Sequence, residues 1–167
     1  VGVIDSSDQV SNLTLRNMIN TLKYRGPDKQ DFFTKSFSSC SVGLGHSRLS
    51  ILDLSENGNQ PKKSFCGKYT IVHNGEIYNF KEIREKLIKR KYTFYSNSDT
   101  EVILNAFSEW GVDCVNQFIG MFAFAILDQV DRKLYIFRDR AGVKPLYYFY
   151  YEGIFLFASE LKAFFQY

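Results

Sequence analysis

Asn74, Gly75 and Glu76 stand side by side in the run His73-Asn74-Gly75-Glu76-Ile77-Tyr78-Asn79. A carboxamide and a glycine N–H can both donate to the oxygen that becomes an anion when a carbonyl is attacked. A carboxylate beside them can hold an ammonium. Loss of one such donor typically raises a barrier by ~2.7–4 kcal/mol. Asn-Gly is equally the strongest short hairpin signal, but the residues after it lead into a capped helical pattern and not into a returning strand. Attack on a carbonyl also needs a nucleophile, and none is evident in the chain.

Two further positions offer complementary charge. His46-Ser47-Arg48-Leu49-Ser50-Ile51 places an arginine inside an apolar, strand-like stretch. Arg48 either sits on a solvent face or acts as a fork that grips a carboxylate bidentately. Asp99 follows Ser98 at the start of a helical pattern, where it complements the helix dipole without further role or joins Glu76 on an ammonium. Arg25-Gly26-Pro27-Asp28 is a competent turn and by itself predicts nothing more.

These residues need elements to position them. Val1 to Ile4 reads as a short strand. Leu15, Met18, Ile19 and Leu22 fall on one helical face behind a cap at Ser11 or Asn12. Strands are expected over 32–37, 40–47 and 68–72, the last ending as the His73 to Asn79 run begins. Asn79 with Glu82, and Ser98 with Glu101, form capping boxes for two helices, the second stopped by Gly111. The uninterrupted apolar stretch Met121 to Leu127 reads as a strand buried on both faces. Segments 134–137, 146–151 and 154–158 complete a meander, and 159–165 is a short terminal helix. The economical architecture is α+β, two mostly antiparallel sheets with helices packed outside.

Composition narrows the function classes. A chain of 167 residues suits one well-buried domain. A net charge of +3 with scattered basic residues argues against nucleic acid. The one basic cluster (Lys86, Lys89, Arg90 and Lys91) closes a helix whose dipole it complements. Three cysteines without C-x-x-C spacing and two histidines argue against a zinc site; no metal site is expected. The thiols suit a reducing, cytoplasmic compartment. No apolar run approaches the ~18–20 residues that span a bilayer, so no membrane association is expected.

Taken together, the motifs resemble one family. Arg25-Gly26-Pro27-Asp28, Gly45-His46-Ser47-Arg48-Leu49-Ser50-Ile51, Asn74-Gly75-Glu76-Ile77-Tyr78-Asn79, Ser98-Asp99-Thr100-Glu101, Gly120-Met121-Phe122-Ala123-Phe124 and Arg138-Asp139-Arg140 are similar to the class II glutamine amidotransferase domain of glutamine-hydrolysing asparagine synthetases. Gly142-Val143-Lys144-Pro145-Leu146-Tyr147-Tyr148 and Ala158-Ser159-Glu160-Leu161-Lys162 extend the match over essentially the whole chain. The resemblance implies a four-layer αββα N-terminal-nucleophile hydrolase fold and a single glutaminase domain over 1–167. It implies that Arg48 binds the α-carboxylate of glutamine, that Glu76 and Asp99 hold its α-ammonium, that Asn74 and Gly75 form the oxyanion hole, and that backbone at Leu49 and Ile51 positions the substrate. It further implies an ATP-dependent synthetase domain, on the same chain or separate, that receives the ammonia. ATP and Mg²⁺ would act there and no cofactor in this domain, and the full-length protein would be a homodimer.

In that family an N-terminal cysteine attacks the amide and its own α-amino group is the base, with an ordinary pKa of roughly 7.7–8.0 near working pH. The family begins Cys-x-Ile-x-Gly. Aligning Gly2 with that last glycine makes Val3-Ile4-Asp5 fit as well and places the nucleophile three residues upstream of Val1. The rival alignment sets Val1 itself at the cysteine position and fits the following strand less well. Cys40, Cys66 and Cys114 read as small buried hydrophobes and not as substitutes. The alternative function is a module that binds glutamine or docks to a synthetase without catalysis. An acylase of the same fold is disfavoured by a charge set matched to a zwitterion.

Overall fold

The computed structural model describes residues 1–7, 10–50, 53 and 55–167. In chain order the elements are β1 (Gly2–Asp5), α1 (Asn12–Asn20), β2 (Lys29–Ser36), β3 (Ser41–Arg48), β4 (Lys62–Lys63), β5 (Tyr69–Ile77), α2 (Phe80–Lys89), α3 (Asp99–Trp110), β6 (Gly120–Asp128), β7 (Lys133–Arg138), β8 (Tyr147–Tyr151) and β9 (Ile154–Ala158). Short 3-10 turns lie at Lys23–Arg25, Glu56–Gly58, Gly111–Gln117 and Leu161–Gln166. The class is α+β, as the alternation of periodicities predicts, and both sheets are antiparallel. Two compact units emerge, one of Val1–Ser50 with Pro145–Tyr167 and one of Ile51–Lys144.

The first unit holds a five-stranded sheet in the order β2-β3-β1-β9-β8. Its core gathers Val1, Val3, Leu15, Met18, Ile19 and Leu156 with Ala163 of the terminal 3-10 turn. Leu15, Met18 and Ile19 are the predicted face of α1, and the Ser11 hydroxyl accepts the Thr14 N–H at 3.0 Å as its cap. Helix formation here rests on that buried stripe, because nine residues are too few to be stable alone.

The second unit holds a four-stranded sheet in the order β4-β5-β6-β7. Ile83 and Leu87 of α2 and Val102, Ile103, Ala106 and Phe107 of α3 pack with Ile71, Ile77, Phe124 and Ile126 of the sheet. β6 is buried without a break from Phe122 to Asp128, which is why its sequence lacks alternation. Gly111 ends α3 at φ 57°, a conformation that suits glycine.

Several expectations are corrected. The strand expected to end at Val72 runs on to Ile77, so His73 to Ile77 is strand, paired with β6 from His73↔Phe124 to Ile77↔Gly120. Asn74-Gly75 is therefore no hairpin turn. Asn79 does not cap α2; its side chain donates to Gln117 O at 2.9 Å and accepts from Ile119 N at 2.9 Å, tying the loop before β6. The expected C-terminal meander is split, because β7 joins one sheet while β8 and β9 join the other. Lys144-Pro145 marks the change of unit. The terminal helix is a 3-10 turn, and Cys66 is exposed, not buried.

Candidate active site

The alternation of β5 sets what its backbone can do. Tyr78 N donates to Ile119 O at 2.8 Å, immediately beyond the ladder. Phe122, opposite Gly75, turns its own backbone the other way: its N–H donates to Asp139 Oδ2 at 3.2 Å and its carbonyl accepts Asp139 N at 2.8 Å. By the pairing rule of antiparallel strands, Asn74 and Glu76 bond to β6, whereas His73, Gly75 and Ile77 direct their N–H groups to the opposite edge of β5.

On that edge two of the three donors are engaged. His73 N donates to Gln60 Oε1 at 2.6 Å, and Gln60 Nε2 returns a bond to His73 O at 3.2 Å. The side chain of Gln60 thus stands in for a strand partner just beyond the short β4. Ile77 N donates to Asp99 Oδ2 at 3.0 Å. Gly75 N lies between them and has no acceptor among the described residues. A donor held in line by two neighbours needs no reorganisation when an oxyanion forms, and this preorganisation is what an oxyanion hole requires.

Only glycine fits at that point. Gly75 has φ +149°, and a Cβ there would sit 2.1 Å from Met121 O and 2.6 Å from Phe122 Cα. The close approach of β5 and β6 and the positive φ are the same constraint seen twice.

The two carboxylates expected at an ammonium are brought to the same edge. Asp99 is the first residue of α3, positioned by the Ser98 cap, whose hydroxyl accepts Glu101 N at 3.3 Å. The Glu101 carboxylate, expected to complete a box, instead accepts Tyr95 N and Ser96 N at 3.0 and 2.8 Å, so it braces the loop ahead of the helix. Asp99 is 5% exposed, and its bond to Ile77 N sets it one residue from the half-buried Glu76. His73 Nδ1 lies 4.0 Å from Asp99 Oδ1 and 3.3 Å from Thr100 Oγ1. Burial pushes the His73 imidazole below its ordinary pKa, with Asp99 opposing and Lys144 adding to the shift. A neutral ring leaves the negative charge of this edge to the carboxylates.

The first unit positions Arg48. It closes β3, pairs with Lys29 of β2, and is only 8% exposed, which removes the solvent-face reading. The turn that by itself predicted nothing holds its backbone. Asp28 N donates to Arg48 O at 3.0 Å, Asp28 Oδ2 accepts Ser50 N at 2.7 Å, and Ser47 Oγ donates to Gly26 O at 2.8 Å. A Cβ on Gly26 would fall 2.1 Å from Ser47 O, so a side chain there would dislodge the end of β3. Leu49, beyond Arg48, is 55% exposed, and Ile51 lies outside the described residues. Val1 and Gly45 exchange two backbone bonds, each 2.9 Å, extending the β1–β3 ladder to its first residue.

Three positioning residues were not singled out in the sequence. Gln60 sat in a polar loop with no pattern to mark it. Asp28 and Asp139 were visible only as motif members. Asp139 is buried, and besides Phe122 it accepts Val143 N at 2.8 Å and Lys144 N at 3.0 Å. Burial pushes its carboxyl up, but the Lys144, Val143 and Phe122 N–H groups outweigh this and hold it below the usual range. Among the cysteines, burial pushes the Cys114 thiol up to about 12, while Ser64 helps hold exposed Cys66 below its ordinary range. Among the described residues, no group of three or more His, Cys, Asp or Glu is placed to hold a metal, and no helix is long and apolar enough to cross a membrane.

A family model described as a glutamine amidotransferase domain matches residues 1–167. The chain belongs to this family. The amidotransferase domain is 42% identical to asparagine synthetase (glutamine-hydrolysing) 3 of Bacillus subtilis over 90% of this chain and 24% of that protein. It is 41% identical to asparagine synthetase (glutamine-hydrolysing) 2 of the same organism over 91% of this chain and 19% of that protein. The chain spans about a third or less of the length of the curated relatives it matches. Among solved structures, the amidotransferase domain is similar to glutamine phosphoribosylpyrophosphate amidotransferase from B. subtilis, complexed with ADP and GMP. The TM-score is 0.78 and the identity 19%, over 98% of this chain and 43% of that one. This likeness shows a shared α+β fold.

Proposed function

We propose that residues 1–167 act as one glutaminase domain, hydrolysing glutamine to glutamate and ammonia for an ATP-dependent, asparagine-synthetase-like site. The observation that carries the proposal is the Gly75 N–H, held between two engaged donors on an edge that also presents Glu76 and Asp99. Gly75 N and the Asn74 carboxamide take the oxyanion. Glu76 and Asp99 take the α-ammonium, Arg48 the α-carboxylate, and the backbone at Leu49 and Ile51 steadies the substrate. One cation and two anions match a free amino acid carrying both charged groups.

The nucleophile is proposed as a cysteine three residues before Val1. Val1 is taken up in the core and the β1–β3 ladder, which supports placing the thiol upstream of it. Continued in the same register, the residue three before Val1 falls opposite Arg48. The thiol passes its proton to its own α-amino group, and sulfur attacks the amide carbonyl carbon. The C–N bond then breaks as that proton moves to nitrogen, releasing ammonia. Water hydrolyses the thioester, giving glutamate and restoring the thiol.

The ammonia acceptor is proposed to be aspartate, in a synthetase domain whose ATP and Mg²⁺ lie outside these residues. The relatives named as glutamine-hydrolysing asparagine synthetases support this. The three free thiols suit the cytoplasmic setting proposed with it.

Mass spectrometry of the native N-terminus, paired with ammonia release from glutamine, tests the proposal. The expected result is a free cysteine three residues before Val1, ammonia and glutamate in equal amounts, and no turnover after Cys→Ala. A native protein that lacks this cysteine and binds glutamine without releasing ammonia overturns hydrolysis in favour of a non-catalytic glutamine-binding module.

A further inference from the structure

Glu160 stands between the end of β9 at Ala158 and the terminal 3-10 turn that begins at Leu161. Its backbone is held on both sides. The Glu160 carbonyl accepts Ala163 N at 3.2 Å, and Ala158 and Ala163 are both buried in the core of the first unit. From that base the carboxylate reaches the 3-10 turn Lys23–Arg25. Oε1 accepts the Tyr24 hydroxyl and also Arg25 Nη1, the latter at 2.9 Å, while Oε2 lies 3.1 Å from Lys162 Nζ. Lys162 Nζ sits 3.9 Å over the Tyr24 ring, so the same ammonium steadies the carboxylate and the tyrosine. Isolated surface ion pairs add little. Here three partners converge on one carboxylate whose side chain is 22% exposed.

The turn that Glu160 grips is packed onto the end of β3 without slack. Gly26 follows Arg25, and a Cβ on it would fall 2.4 Å from Ser47 C and 2.7 Å from Arg48 C. Ser47 Oγ, which bonds Gly26 O, also accepts Gln30 Nε2 at 3.1 Å. Asp28 N closes the turn onto Arg48 O. A shift of residues 24–28 is therefore passed to the Arg48 backbone by direct contact, and not through a long side chain that could absorb it.

We propose that Glu160 is a positioning residue for Arg48: by fastening the turn at Tyr24 and Arg25 to the base of β9, it sets where the guanidinium meets the α-carboxylate of the substrate. The inference rests on the reading of Arg48 as the carboxylate-binding residue. A guanidinium is a rigid planar fork, and its two parallel bonds to a carboxylate form only when fork and carboxylate are in line. A small displacement of the backbone that carries the fork breaks one bond of the two. Arg48 closes β3 and is almost fully buried, so its side chain has little room to swing back into line. Glu160 acts only through the turn, and its loss costs recognition of the carboxylate in particular and not binding in general.

Calorimetric titration of the protein at its natural length, with the proposed nucleophile changed to alanine so that glutamine is not consumed, tests this. Two ligands are compared: glutamine, and glutamine α-amide, which keeps the ammonium and the side-chain amide but carries no carboxylate. Glu160→Ala is expected to weaken glutamine about 3–10-fold in Kd and the α-amide by less than about twofold. In an Arg48→Ala background, Glu160→Ala should cost nothing further, because both changes act on one contact. Glu160→Gln keeps the shape without the charge, and gives a smaller loss confined to glutamine should the alanine variant misfold. Equal weakening of both ligands, glutamine affinity unchanged in folded variants, or full additivity with Arg48→Ala would each overturn the positioning role and leave Arg48 in place. An Arg48→Ala protein that binds glutamine as its parent does would remove the reading of Arg48, and this inference with it.

Discussion

Asp99 Oδ2 accepts the Ile77 N–H at 3.0 Å, so the first residue of α3 is fastened to the last residue of β5. The carboxylate proposed for the substrate ammonium also finishes the strand edge on which the Gly75 donor lies. Structure and recognition share one side chain, and the two roles separate by substitution. Asp99→Asn retains an oxygen acceptor for Ile77 N but no charge. Stability is expected to hold, while glutamine affinity falls by about 1.5–3 kcal/mol, roughly 10–150-fold in Kd. Calorimetric titration with a thermal melt checks both parts, and unchanged affinity would remove Asp99 from the ammonium site.

Gly75→Ala is expected to destabilise the protein. The imposed φ of +149° contributes about 1–3 kcal/mol. The contact with Met121 O adds overpacking of about 1–3 kcal/mol. A denaturant midpoint within error of the parent would show that β5 and β6 can separate at no cost.

Gln60→Ala removes both bonds to the His73 backbone and leaves a buried N–H and C=O without that partner. A loss of about 1–3 kcal/mol is expected. With the edge of β5 loosened beside Gly75, kcat should fall more than KM rises. The opposite split in steady-state kinetics would assign Gln60 to binding.

Glu160 links stability to acid. The Tyr24 hydroxyl, then Lys162 and Arg25, outweigh burial and lower its carboxyl from 4.5 to about 2. The Arg25 contact is 2.9 Å and the Lys162 contact 3.1 Å. A depressed pKa means that the unfolded chain binds the proton first. The contribution is therefore whole above about pH 4.5 and is lost as pH falls towards about 2. Glu160→Gln should flatten the melting-temperature profile across that window. Profiles that stay parallel would show that the cluster adds nothing.

Much of this was legible in the residues. The α1 stripe, the buried β6, the Ser98 cap and the Gly111 stop each follow from local pattern, and the ordered motifs marked the family. Asn74, Gly75, Glu76, Asp99 and Arg48 were named from residue type. The extent of β5 was not legible, because His73, Asn74 and Glu76 are polar and are kept in a strand by partners distant in sequence. Gln60 was invisible for the same reason: an amide in a polar loop gains its role only when β4 ends short beside His73.

The sequence by itself determined the chemical inventory and the elements whose hydrophobic period is local, because side-chain identity and i to i+4 spacing are properties of the chain alone. Only the tertiary structure decided which way each backbone donor points. Ladder alternation depends on where Phe122 and Asp139 sit. That alternation leaves Gly75 N without an acceptor among the described residues. Direction is a property of paired strands, and pairing is non-local.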